Sequence, residues 1–334
     1  MNTQKAFKIL DIIINSNLNN TFTNLDNIIF VNLDFLTNRN YQFEGVNEYL
    51  YYIGQQKDCT IVFLQRDGVN LRYTGMLEII TQTIKDLKLN SDTCFFYGYN
   101  NYDIKNCTFL ELNVVKMWCG LINNCIHGLP ISGNNFKHYF AGLFGRADLY
   151  RALLYKHLSN KNSLLSWNTN TLTVNHRHVN NFSAEAGWFV ENQKTSLDYD
   201  INTGSILYQQ SLEDIKKHYH SYFIEIVSET DVHNDSFFTE KTLKNFYLGK
   251  PFILLSGQGS LNKLKRYGFQ TFAPYINEGY NDYSNVYDRI KAIKCEIDRI
   301  QLLSNTELSD IYNRLKPIFE HNKYIFERLV NDNS

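Results

Sequence analysis

Short apolar runs of strand length alternate along this chain with stretches whose apolar residues recur every three or four positions. IIFVNLDF (28–35), TIVFLQ (60–65), TCFFYGY (93–99) and TFLELNVV (108–115) read as strands. Between the second and third, Leu77, Ile80, Ile84 and Leu87 lie at helical spacing in GMLEIITQTIKDLKL (75–89). CIHGLPISGNN (125–135), short and bearing Gly and Pro, reads as a linker, after which the alternation restarts. KHYFAGLF (137–144), YFIEIVSE (222–229), PFILLS (251–256) and QTFAPYI (270–276) read as strands. ADLYRALLYKHL (147–158), TEKTLKNFYL (239–248) and SLNKLKRYG (260–268) read as helices, and two long helices over 285–303 and 307–330 close the chain. Strands alternating with helices imply βαβ units and mainly parallel sheets. The expectation is an α/β protein of GT-B-like architecture. It has an N-terminal Rossmann-like domain over 1–130, and a C-terminal one over 131–334 with closing helices. The two face each other across a cleft lined by the carboxyl ends of both sheets.

With 334 residues the chain is long enough for two such cores. A formal net charge of −1 supplies no global field for nucleic acid or anionic membrane. The six cysteines, at 59, 94, 107, 119, 125 and 295, include no CxxC pair and no zinc spacing, so free thiols in a reducing, cytoplasmic setting are expected. No apolar run reaches the roughly 18 residues of a spanning helix, and MNTQKAFKILDIIINSN is interrupted too soon for a signal peptide.

The segment richest in chemistry is IVSETDVHNDSFFTEKTLKNFYLGKPFILLSGQGSLNKLKRYGFQTF (226–272). A strand ends at Glu229, a polar loop follows, and Thr239 suits the N-cap of the next helix. Glu240 and Lys241 then occupy its first turn. A helix N-terminus offers unpaired N–H groups and a positive dipole end that suit a diphosphate. Lys241 adds a full charge there, against the preference of a plain helix for acids in its first turn. Glu240 is suited to accept hydrogen bonds from ribose hydroxyls.

The run FFTEKTLKNFYLGKPFILLSGQGSLNKLKRYGFQTF resembles a signature of glycosyltransferase-like proteins of large DNA viruses and phages: a TEK triplet, a helix, G-x-PF, a small strand, then L-x-x-L-x-x-x-GF-x-TF. IVSET (226–230), YINEGYND (275–282) and HN (321–322) extend the likeness, with Asn277 departing where an acid is common. Glu229 and Glu278, within these segments, join the substrate-binding candidates. The triplet is also similar to the donor signature of α-1,3-fucosyltransferases and, more loosely, of exostosin-type transferases. That resemblance implies Lys241 on the donor diphosphate, Glu240 on the ribose and Phe237 near the base, with Thr239 beside them. The stretch 137–169 resembles the opening of the fucosyltransferase donor domain, which implies Arg151, or else Arg146, on the diphosphate. A guanidinium forks onto two phosphate oxygens, which suits Arg to that role. For a host virus or phage the expected location is the host cytoplasm.

The resemblance does not reach residues before 130. A general base is needed for an inverting transfer. Asp67, following a strand and preceding Gly68, is the favoured candidate, ahead of Asp34 and Glu44. Asp198-Tyr199-Asp200 is a DxD triplet in a loop-like context. His176 and His178 share a strand face without a third ligand, and SGQGS (256–260) lacks the Lys-Ser/Thr ending of a P-loop. The function expected is therefore transfer of a sugar from a nucleoside-diphosphate sugar to a glycan, lipid-linked or protein hydroxyl, with no cofactor or metal. A phage-type transferase acting on hydroxymethylated DNA bases is disfavoured by the neutral charge. A non-catalytic nucleotide-sugar or glycan binder is the alternative of another class.

Overall fold

The computed structural model describes residues 5, 8–9, 22–25, 27–33, 59–65, 76–98, 102–111, 113–131, 133, 136–144, 149–167, 218–233 and 237–331. They fall into two compact units, Met1–Asn113 and Val114–Ser334.

In the first unit, β1 (Phe22–Leu25), β2 (Ile28–Asn32), β3 (Thr60–Leu64), β4 (Cys94–Gly98) and β5 (Thr108–Glu111) form one sheet in sequential order. β1 and β2 pair antiparallel, while β2 to β5 are parallel. Asn27, between β1 and β2, has φ 62°. That suits the two-residue turn of a hairpin, since Asn tolerates the left-handed region. The amphipathic helix α1 (Met76–Asp86) joins β3 to β4 and buries Met76, Ile80 and Ile84 against Ile29, Val31, Ile61 and Phe63. The parallel strands advance in a single direction, so their order never reverses among the described residues.

The second unit begins with α2 (Val114–Ile126), in part of which a strand had been read, and which lies upstream of the expected boundary at 130. Its partners are helices of the second unit, α4 (Glu240–Leu248) and α7 (Asn305–Asn331). Those contacts place the division at 113/114. The sheet holds β6 (His138–Phe144), β7 (Ser163–Trp167), β8 (Tyr222–Ser228) and β9 (Phe252–Leu255), all parallel, in the order β7-β6-β8-β9. β7 has no counterpart in the sequence reading. All seven residues of β8 and all four of β9 are buried, the pattern of strands covered on both faces.

Helix α3 (Leu149–Leu158) follows β6 and packs on β6, β7 and α6 (Val286–Gln301). Helix α4 follows β8 and packs on β8, β9, α2 and α7. Chain progression from β6 to β7 runs one way across the sheet, and from β8 to β9 the other. Right-handed crossovers then put α3 and α4 on opposite faces. The loops after β6 and β8 thus diverge, and the strand order reverses between these two strands, which is the topological switch point of a doubly wound sheet.

Two details terminate α4. Thr239 caps its start, and Gly249 ends it at φ 63° with its N–H on the Asn245 carbonyl. A Cβ on Gly249 would fall 2.3 Å from Ile131 Cγ2, so backbone angle and packing both require glycine. The stretch 270–276 is not a strand. Its backbone pairs with side chains instead: Asn322 takes both the Gln270 amide and carbonyl, at 2.7 and 2.9 Å, and Glu278 takes the Phe272 amide at 2.7 Å. Phe269, Phe272 and Ile276 are nonetheless buried, which accounts for a strand-like pattern without strand pairing.

Five described cysteines are free, with Cys94 and Cys119 buried and Cys295 exposed. No helix among the described residues is long and apolar enough to cross a membrane.

Candidate functional site

β8 ends at Ser228, and the next residue, Glu229, is fully buried. Its carboxylate accepts three hydrogen bonds: from the Thr239 amide at 3.0 Å, the Thr239 hydroxyl at 2.7 Å and the Thr242 hydroxyl at 2.6 Å. An acid at the positive end of a helix is favoured by the dipole, and here it also closes the loop between strand and helix. The Thr239 hydroxyl in turn accepts from the Lys241 amide at 3.3 Å and from Lys241 Nζ at 3.1 Å.

Lys241 and Glu240 form an ion pair, Nζ to Oε1 3.0 Å, with side chains 16% and 10% exposed. The two groups that the resemblance places on diphosphate and ribose therefore neutralise each other.

Arg151, on the third residue of α3, is 2% exposed and donates from Nη2 to the Ser228 carbonyl at 3.0 Å. A single guanidinium thus ties the helix after β6 to the end of β8, across the switch point. The structure brings Arg151, Glu229, Thr239, Glu240 and Lys241 to one edge of the sheet. Phe237, on the same loop, is 3% exposed and presents no open ring face.

Glu278 makes a separate set of contacts. It accepts from the Thr271 hydroxyl at 2.8 Å and the Phe272 amide at 2.7 Å, and Lys265 Nζ is 3.9 Å away. Burial pushes its carboxyl above the usual range, opposed by those two hydrogen bonds and by Lys265. His321, of the HN pair, donates from Nε2 to the Gly268 carbonyl at 2.8 Å, and Asn322 fixes Gln270, so both brace the turn after α5 (Ser260–Arg266). Asp67, Arg146, Asp34, Glu44, His176, His178, Asp198 and Asp200 lie outside the described residues. Among the described residues, no group of three or more His, Cys, Asp or Glu is placed to hold a metal ion.

Two features went unnoticed in the sequence. Arg289, 2% exposed, sits on the buried stripe of α6 with Val286, Ile290, Ile293 and Ile297. A charge on an apolar helical stripe was its visible signal. It donates to the carbonyls of Tyr283, Ser284 and Val232, tying α6 to the loop after β8. The second is a buried polar network near the amino end of β8. Glu225 pairs with Lys244 at 2.9 Å and accepts from the hydroxyls of Tyr219 and Tyr222 at 3.3 and 3.1 Å. Lys250 Nζ donates to the Tyr222 carbonyl and lies 5.0, 4.7 and 5.9 Å from the ring centres of Phe136, Tyr222 and Tyr312. Burial holds the Lys250 amine well below the usual lysine range, with Glu225 acting the other way.

Compared with known proteins, the chain matches no family model, no curated protein and no solved structure.

Proposed function

We propose that the second unit binds a nucleoside-diphosphate sugar at the switch point between β6 and β8, and that the protein transfers the sugar to an acceptor hydroxyl. The observation that carries this reading is the convergence of Arg151, Lys241 and the N-terminus of α4 on the carboxyl edge of one parallel sheet, joined through Ser228, Glu229 and Thr239. Ligands of doubly wound sheets bind at such a reversal of strand order. A helix N-terminus with two cations suits a diphosphate, and the same groups stabilise the charge that develops on a departing nucleoside diphosphate. In this reading Glu240 leaves Lys241 for the ribose hydroxyls when donor arrives. The GT-B arrangement, the first unit as the acceptor side and Asp67 as general base belong to the same proposal, as does a mechanism in which cationic side chains take the place of a metal. The acceptor is a glycan, lipid-linked or protein hydroxyl.

A thermal-shift screen of the full chain against nucleoside diphosphates and their sugars tests it, since a ligand that binds only the folded state raises Tm by mass action. At least one nucleoside diphosphate should raise Tm, and the shift should persist in excess EDTA. A Tm indifferent to every such ligand sinks the reading. Binding lost in EDTA and restored by manganese would move the chemistry to Asp198 and Asp200.

A further inference from the structure

Three rings from three different elements meet beside this edge. Tyr150 lies in the first turn of α3, immediately before Arg151. His233 lies in the loop that runs from β8 to Thr239. Their side chains approach to 3.3 Å, hydroxyl to Nε2, with ring centres 5.8 Å apart. Tyr287, in the first turn of α6, meets the Tyr150 ring edge-on at 5.9 Å. It is 49% exposed, and His233 is exposed as well.

The cluster is held from below. Arg289, two residues after Tyr287 and on the buried face of α6, ties the residues just before that helix to Val232, next to His233. Its buried Nε has no hydrogen-bond partner among the described residues. Burial draws the pKa of Arg289 down and Tyr150 opposes that shift. A packed core explains Arg289, but not the half-open ring of Tyr287 two residues before it. Single exposed rings are ordinary, whereas three rings from three elements that meet beside the carboxyl edge of a parallel sheet form a surface suited to recognition.

We propose that Tyr287, with Tyr150 and His233, is the platform on which the base of a nucleoside diphosphate stacks. This inference rests on the reading under Proposed function and names the part of the donor that reading leaves unassigned. Chain connectivity gives the direction: Tyr150 immediately precedes Arg151 at the start of α3, and His233 lies on the segment that leads from β8 to the start of α4 and Lys241. Every base has a π-face, so an aromatic platform accepts the ring without a hydrogen-bond code.

The test is isothermal titration of the full chain with ADP, GDP, CDP and UDP, and with inorganic pyrophosphate, which has no base. Tyr287→Ala should weaken the preferred nucleoside diphosphate about 5- to 100-fold, the range alanine substitution removes for one stacked base. Pyrophosphate affinity should stay at the wild-type value. Tyr287→Phe should restore nucleotide binding, and Tyr324→Ala, which removes an exposed ring from α7, should change neither. A Tyr287→Ala protein that binds nucleotide as well as wild type, or loses nucleotide and pyrophosphate equally, overturns the platform while leaving the donor site standing. A wild-type protein that binds none of the four nucleotides overturns both.

Discussion

The carboxylate of Glu229 holds both the amide and the hydroxyl of Thr239, at 3.0 and 2.7 Å. This pair of hydrogen bonds between strand end and helix start sets where Glu240 and Lys241 project, so the two residues of the triplet with ionisable heads depend on an acid ten positions before Thr239.

Removing that acid should cost stability. Glu229→Ala leaves buried donors of Thr239 and Thr242 without their acceptor, a loss of about 3 kcal/mol by the magnitude of broken charge-assisted hydrogen bonds. Glu229→Gln retains one acceptor oxygen and should fall between. Urea denaturation measures both. A Glu229→Ala protein within about 0.5 kcal/mol of wild type contradicts the clamp.

Lys241 should behave in the opposite way. It is partly exposed and stands at the positive end of a helix dipole, so Lys241→Ala should leave Tm almost unchanged. The rate of sugar transfer should drop on the order of 10²-fold, as for other single electrostatic stabilisers. Arg151→Ala should slow transfer too. Because it also unties α3 from the Ser228 carbonyl, it should lower Tm, which Lys241→Ala should not. Single-turnover rates beside melting curves separate the two, and wild-type turnover by Lys241→Ala would end its assignment to the diphosphate.

Glu240 makes a different prediction because it pairs with Lys241. Pyrophosphate must break that ion pair with nothing to offer Glu240 in return, whereas ribose hydroxyls replace the lost contact. Glu240→Ala should therefore bind pyrophosphate more tightly and nucleoside diphosphates more weakly. Competition titrations with the two ligands check this, and parallel changes in both affinities would refute the exchange.

Lys250 gives a pH dependence. Its folded pKa is depressed by burial, so between that value and about 10.4 the unfolded chain binds a proton that the folded chain does not. Its contribution to stability then rises with pH through this window and is complete above the unfolded pKa. Lys250→Met should accordingly raise Tm at neutral pH, with the gain shrinking as pH approaches 10. A gain that grows with pH would reverse the sign assigned here.

Most elements were legible from spacing alone. The strands that became β2, β3, β4, β6, β8 and β9 and the helices α1, α3, α4, α6 and α7 follow their apolar periods to within a few residues. Thr239 and Gly249 as boundaries of α4 rest on cap chemistry that is local in sequence. β1 and β7 are four and five residues long and carry polar side chains, too little pattern to register. The segment 270–276 misled because burial alone produces a strand-like apolar pattern, while strand identity depends on a backbone partner. Its amides found Asn322 and Glu278 instead.

The candidate site divides along the same line. Thr239, Glu240 and Lys241 are consecutive, so a helix start with a capping hydroxyl and two charges could be written down from local chemistry. Strand order is not local. The meeting of Arg151 with Ser228 across 77 residues of chain, of Tyr150 with Tyr287, and of Arg289 with Val232 follows from β8 lying beside β6 instead of beside β7. Apolar periodicity is the same for every order of buried parallel strands, so it carries no information about which loops become neighbours. That is decided by tertiary packing, in which α3 and α4 cover the sheet with β8 beside β6.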